Sequence, residues 1–339
     1  MKNQTIEVMK ALSIIGIVLL HAIFIYYGEN TEWSNLLRLV CIQTLLVLSG
    51  FVMYGKISNK WVQEKVIRRV PLLVIFTLVY WLFYSFVVGV DGGETIQANL
   101  GNYYGYALLS GFDGTVLWYI WQLVACTALL LLFESVSRLF PRIPYLLKFA
   151  IFVGIIVVFP LDIIGFRYIK WYGLFIFGGY ALRYASNMVS HKLAWLGLLL
   201  PFSLLLDLTY RGQSINSGYA DILGAISNGE TLYLLGYIAV SVIGVAFVYL
   251  VSRMIIRLKV EKPFLYIGGA TIGVLLLHKP MLEMQPIGNL YISFLVVFIV
   301  ALGLYQILKR VKILDYLLFG GTSIPIQISN KLEVLYGKV

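Results

Sequence analysis

Apolar runs of about 17–25 residues recur along most of this chain, separated by short polar turns. A run of that length crosses a hydrocarbon layer of about 30 Å when it is helical. Apolar residues make up 60% of the 339 and charged residues only 12%. A soluble globule carries roughly twice that charged fraction, so the excess apolar surface calls for lipid as its solvent. The runs fall near 8–27, 36–55, 70–90, 116–135, 149–166, 171–186, 194–210, 231–252, 264–283 and 289–308. The fold expected is all-α: a polytopic integral membrane protein of about ten transmembrane helices. No polar stretch is long enough for a separate soluble domain. Residues 1–310 therefore form one transmembrane domain and 311–339 a short cytoplasmic tail.

The net charge of +10 is spread over short inter-helix loops rather than gathered in one cluster. That pattern fits a basic cytoplasmic face and not nucleic-acid binding. With the N-terminus in the cytoplasm, all but five of the 26 Lys and Arg residues fall on the inner side, the exceptions being Arg38, Arg167, Lys170, Arg211 and Lys279. The segment 91–115 carries Asp91, Glu94 and Asp113 without a single Lys or Arg, as an external loop should. Trp33, Trp61, Trp118, Trp121, Trp171 and Trp195 lie near span ends, where amphipathic rings favour the headgroup layer. The first apolar run has no small-x-small cleavage site and is read as a retained span rather than a signal peptide. Cys41 and Cys126 fall inside apolar runs and read as buried free thiols. Three histidines and two cysteines offer no zinc-ligand cluster, and no metal site is expected.

Ionisable groups inside a span are costly, so they are functional candidates. The first span holds Glu7, Lys10 and His21. Eleven residues separate Lys10 from His21, which at 3.6 residues per turn returns to within about 20° of the same face, about 16 Å further along. Glu7 precedes Lys10 by one turn and can pair with it. One helix face thus presents a cation at the cytoplasmic mouth and an imidazole deep inside. The structural alternative is a snorkelling Lys and a His bonded to a neighbouring helix.

A basic residue, ten residues and then His in the first span resembles the Arg-x10-His signature of the acyltransferase 3 family, bacterial integral-membrane enzymes that O-acylate cell-surface glycans. Four further stretches are similar to that family's pattern, in order: Ser49-Gly50-Phe51, Lys65-x-x-Arg68-Arg69-x-Pro71, Leu117-Trp118-Tyr119, and Ile272-Gly-Val-Leu-Leu-Leu-His278-Lys-Pro280. The resemblance covers about residues 5 to 310. Two departures stand out: Lys10 replaces the arginine and Glu7 the usual aspartate. Lys keeps the charge but not the bidentate fork of Arg.

The resemblance implies an O-acyltransferase of the bacterial cytoplasmic membrane. It would move an acyl group, acetyl being the one expected, from cytoplasmic acyl-CoA to a hydroxyl of a cell-surface glycan or lipid-linked sugar. Such a transfer needs a base for the hydroxyl proton, and His21 suits that role, with Glu7 beside Lys10 completing the catalytic set. The anionic CoA suits a mouth formed by Lys10, Lys65, Arg68 and Arg69, although the two arginines equally fit the ordinary inner-side charge. Ser49, Trp118 and His278 are candidates to line the acceptor side. Their structural alternatives are close helix packing at Ser49-Gly50, interface anchoring by Trp118 and a helix-end hydrogen bond at His278. A transporter or flippase for a glycan or lipid intermediate is the rival reading, because central polar groups in a multi-span protein also suit transport.

Overall fold

A computed structural model describes residues 3–28, 31–83, 116–159, 166–185, 231–284 and 288–320. All secondary structure among them is helical. Helix α1 spans Asn3–Tyr27, α2 Glu32–Leu37 and α3 Gln43–Met53, the last two joined by a π-helical turn over Arg38–Ile42. Then follow α4 (Asn59–Phe83), α5 (Leu117–Ser137), α6 (Tyr145–Val158), α7 (Phe166–Tyr184), α8 (Thr231–Arg257), α9 (Lys262–Gly269), α10 (Thr271–Met284), α11 (Leu290–Leu308) and α12 (Lys312–Phe319). Among the described residues five helices are long and apolar enough to cross a membrane, or six if a bent pair counts as one span. The expected span at 194–210, the segment 91–115 expected to be external, Trp195 and the third histidine, His191, lie outside the described residues.

The outer surface carries large apolar side chains at helical spacing. Val70, Val74, Leu78 and Leu82 form one exposed stripe on α4, and Leu147, Ile151 and Ile155 another on α6. Stripes of this extent belong against lipid. Inside the bundle, several hydroxyls close onto their own helices. Thr44 donates to the Val40 carbonyl (2.6 Å), Thr77 to Leu73 (2.6 Å) and Ser252 to Val248 (2.7 Å). Hydroxyls satisfied in this way can sit in an apolar interior without desolvation loss. Cys41 and Cys126 are buried and unbridged, as expected.

Several boundaries differ from the sequence expectation. Helix α4 starts at Asn59, so the basic stretch placed in a loop is helical, and Pro71 lies within the helix. Gln63, Glu64, Lys65, Arg68 and Arg69 are good helix formers that outweigh the single missing N–H. The span expected at 264–283 breaks into α9 and α10, bent by 74°. The break follows Gly268-Gly269. A Cβ on Gly268 would lie 2.2 Å from the Glu7 carbonyl oxygen, so glycine lets α9 press against the backbone of α1. The carbonyls freed at the bend are used: Thr271 donates to Gly268 (2.7 Å) and Tyr305 to Gly269 (3.3 Å). Trp171, expected at an interface, is core, 2% exposed and edge-on to Phe175 at 5.3 Å. Beyond residue 310, α12 packs on α4, and Phe319 sits edge-on to Tyr305 at 4.8 Å.

Candidate active site

Helix α1 lies among α9, α10, α8 and α11, so its polar residues face partners from distant parts of the chain. Near its start Lys10 Nζ stands 2.8 Å from Glu7 Oε2, the i, i+3 pair anticipated from the spacing. Three turns further on, His21 Nδ1 lies 3.0 Å from the Ile17 carbonyl oxygen and 2.9 Å from Nε2 of His278 on α10. The two imidazole centroids are 4.9 Å apart. His278 is wholly buried, whereas His21 is only half-buried. His278 Nδ1 in turn lies 3.0 Å from the Val274 carbonyl oxygen.

Local sequence explains how α10 holds that position. Pro280 lacks an N–H, which leaves the Leu276 carbonyl without its helical donor. The Tyr80 hydroxyl of α4 donates to that oxygen at 3.5 Å and ties α10 to α4 two residues before His278. On the other side Phe24 stands edge-on to His21 at 5.7 Å, with the Arg38 guanidinium 5.1 Å above the Phe24 ring. Lys279 follows His278 directly and lies 3.8 Å from Glu283. Cationic side chains therefore stand near the imidazole pair on two sides, Lys279 on α10 and Arg38 on the π-helical turn.

The remaining sequence candidates form a second group. Ser49 donates to Leu45 at 2.8 Å and lies 2.9 Å from the Tyr119 hydroxyl on α5. Trp118 stacks on Tyr172 of α7 at 4.6 Å and 26°. Arg69 reaches Thr127 at 3.5 Å, and the Nε of Arg68 is buried without a hydrogen-bond partner among the described residues. The Lys65 side chain falls outside the described residues. Neither Ser49 nor Trp118 touches the histidine pair through a hydrogen bond or ring contact. Tyr119, Tyr172 and Thr127 escaped the sequence reading. Tyr119 was within reach, since it ends the Leu117-Trp118-Tyr119 stretch, but an isolated Tyr in an apolar helix carries no mark of its partner.

No curated protein and no solved structure matches the chain. The family comparison does match: the acyltransferase 3 model, described as an acyltransferase domain, aligns with residues 3–308. That stretch includes α1 with its Lys10–His21 face, α10 with His278, and every helix between them. Since the match takes in nearly the whole chain, the multi-span bundle built around the paired histidines belongs to the acyltransferase 3 family of membrane acyltransferases.

Proposed function

We propose that this membrane acyltransferase takes its acyl group, acetyl first of all, from cytoplasmic acyl-CoA and passes it to a hydroxyl of a cell-surface glycan or lipid-linked sugar. The observation that carries the reading is the contact between His21 and His278, two imidazoles 257 residues apart that meet at 2.9 Å within a largely apolar bundle. Buried polar groups of this kind in a membrane interior are costly, and a catalytic role accounts for them. In the proposed step His21 takes the proton of the acceptor hydroxyl while its oxygen attacks the thioester carbonyl. A carbon–oxygen bond forms, the carbon–sulfur bond breaks, and the proton passes to the departing thiolate. The products are an ester and free CoA.

The phosphates of the donor suit the cations at the start of α1 and α4, namely Lys10, Lys65, Arg68 and Arg69. The buried Nε of Arg68, without a hydrogen-bond partner among the described residues, favours an anion there. Glu7 holds the Lys10 ammonium in place. Ser49 and Trp118 are assigned to the acceptor side, with Tyr119 and Tyr172 as their supports. The full architecture in this reading is about ten spans in the bacterial cytoplasmic membrane with the N-terminus inside. A reporter fused after Lys338 is then cytoplasmic and one placed near Asn99 external. The reverse pattern would put the CoA mouth on the wrong side.

The experiment that tests the function supplies purified protein in lipid nanodiscs with radiolabelled acetyl-CoA and envelope glycan de-esterified by mild alkali. Label is expected in alkali-labile ester on the glycan. Glycan carried across a proteoliposome membrane with no ester formed would identify a transporter instead. In the same assay Lys10→Ala is expected to raise the KM for acetyl-CoA about tenfold, and Lys10→Arg to raise it far less, because only the first removes the charge. Equal KM values would return Lys10 to a snorkelling role.

A further inference from the structure

We propose that His278 is a positioning residue: it holds His21 in the tautomer whose Nε2 lone pair faces the acceptor, and it steadies the imidazolium that forms. The inference rests on the reading of His21 as the base, and it follows from counting donors and acceptors around the two rings. A carbonyl oxygen can only accept, so the 3.0 Å approach of His278 Nδ1 to Val274 places a hydrogen on Nδ1. A neutral imidazole has one N–H, which leaves a lone pair on His278 Nε2. That lone pair lies 2.9 Å from His21 Nδ1, which also faces the Ile17 carbonyl at 3.0 Å. With an acceptor on each side, His21 Nδ1 must carry the hydrogen. The opposite tautomers would set a nitrogen lone pair against a carbonyl oxygen in both rings at once. The tautomers are thus assigned from the hydrogen-bond network.

Two consequences follow for His21. Its Nε2, which has no hydrogen-bond partner among the described residues, bears the lone pair that can take a proton. Once it has done so, the Nδ1–H bond to His278 becomes charge-assisted and stronger. The Ile17 carbonyl is a weaker support by itself, since it sits four residues back and already serves as the helical acceptor for the His21 backbone N–H. The Tyr80 bond to the carbonyl freed by Pro280 tethers α10 two residues before His278. His278 therefore acts through His21 and need not touch the acceptor.

Two measurements test this. In detergent-solubilised protein with ring-15N histidine, the only histidine besides the pair, His191, can be silenced by His191→Asn. The spectra are expected to show Nδ1–H on both remaining rings and a coupling across the His21–His278 hydrogen bond. In kinetics, His278→Leu is expected to lower kcat at least about tenfold with both KM values within about twofold, as loss of an orienting partner does. His278→Gln, whose amide oxygen can accept from His21, should recover most of the lost rate. Nε2–H on His278, or a His278→Leu protein that keeps its kcat and loses acceptor KM, overturns the proposal. If His278→Leu does not fold, the spectra of the unaltered pair decide alone. Retained transfer by His21→Ala would mark a different failure, that of the base itself, and would leave the spectral result standing.

Discussion

Replacing His21 by Ala is expected to slow acyl transfer at least ~100-fold while leaving the protein folded and its acetyl-CoA binding intact. The expectation follows from what the side chain does in the bundle. His21 is half-buried, with its Nδ1 side occupied by Ile17 and His278 and its Nε2 without a partner among the described residues. Truncation removes the proposed base but leaves the Lys10–Glu7 pair about 16 Å away untouched. It also leaves His278 bonded to Val274, which limits the structural damage to one unfilled acceptor. The check is a paired measurement on the purified variant: turnover with saturating acetyl-CoA, and the dissociation constant for acetyl-CoA. A well-folded His21→Ala protein with most of its turnover would rule out base catalysis by this residue. If binding were lost along with turnover, His21 would belong to the donor site.

The second large effect is expected on stability, where α3 crosses α7. A Cβ on Gly50 would lie 1.8 Å from the Ile176 carbonyl oxygen, and one on Gly179 would lie 2.0 Å from that of Val47. Each glycine thus accommodates the partner helix's backbone, which has no rotamer to change. In lipid, association of helices depends on such close backbone packing because lipid tails are as apolar as leucine. Gly50→Ala or Gly179→Ala must push the helices apart, and the cost should reach or exceed the 1–3 kcal/mol typical of overpacking. Gly178 provides the control, for a Cβ there meets nothing within 4 Å. Apparent melting temperatures by size-exclusion chromatography after heating should fall clearly for Gly50→Ala and Gly179→Ala and stay put for Gly178→Ala. Equal melting of Gly50→Ala and Gly178→Ala would contradict the crossing. Tyr119 sits on α5, which packs on α7, so a shift of α3 away from α7 is expected to weaken the Ser49–Tyr119 contact too and to lower activity in Gly50→Ala.

The same crossing shows what a one-dimensional reading can miss. From sequence, Ser49-Gly50 fits either an acceptor contact or close packing. Gly50 proves to be packing, while Ser49, one residue earlier and on another face, bonds to Tyr119. Trp171 and Trp118 both look like interface anchors. Yet Trp171 is core, because the neighbouring helices, not the residue type, set its burial. Gly268-Gly269 in the apolar run at 264–283 permits a bend, but that the run does bend there is decided by how closely α9 approaches the Glu7 backbone.

The solvent of this protein, its helical class, its family and the shared face of Glu7, Lys10 and His21 are all legible along the chain. Run length, composition and the 3.6-residue period carry the solvent, the class and the shared face, and the family rests on the resemblance of five short motifs in order; all of these are local along the chain. That His278 is the partner of His21, that Tyr80 secures α10, and that Gly50 and Gly179 let two backbones touch emerges only once the helices are assembled. The reason is physical: a helix sets which residues share its own face, but which face of another helix lies opposite depends on the packing of the whole bundle. The histidines stand 257 residues apart, and no period within either helix encodes their meeting.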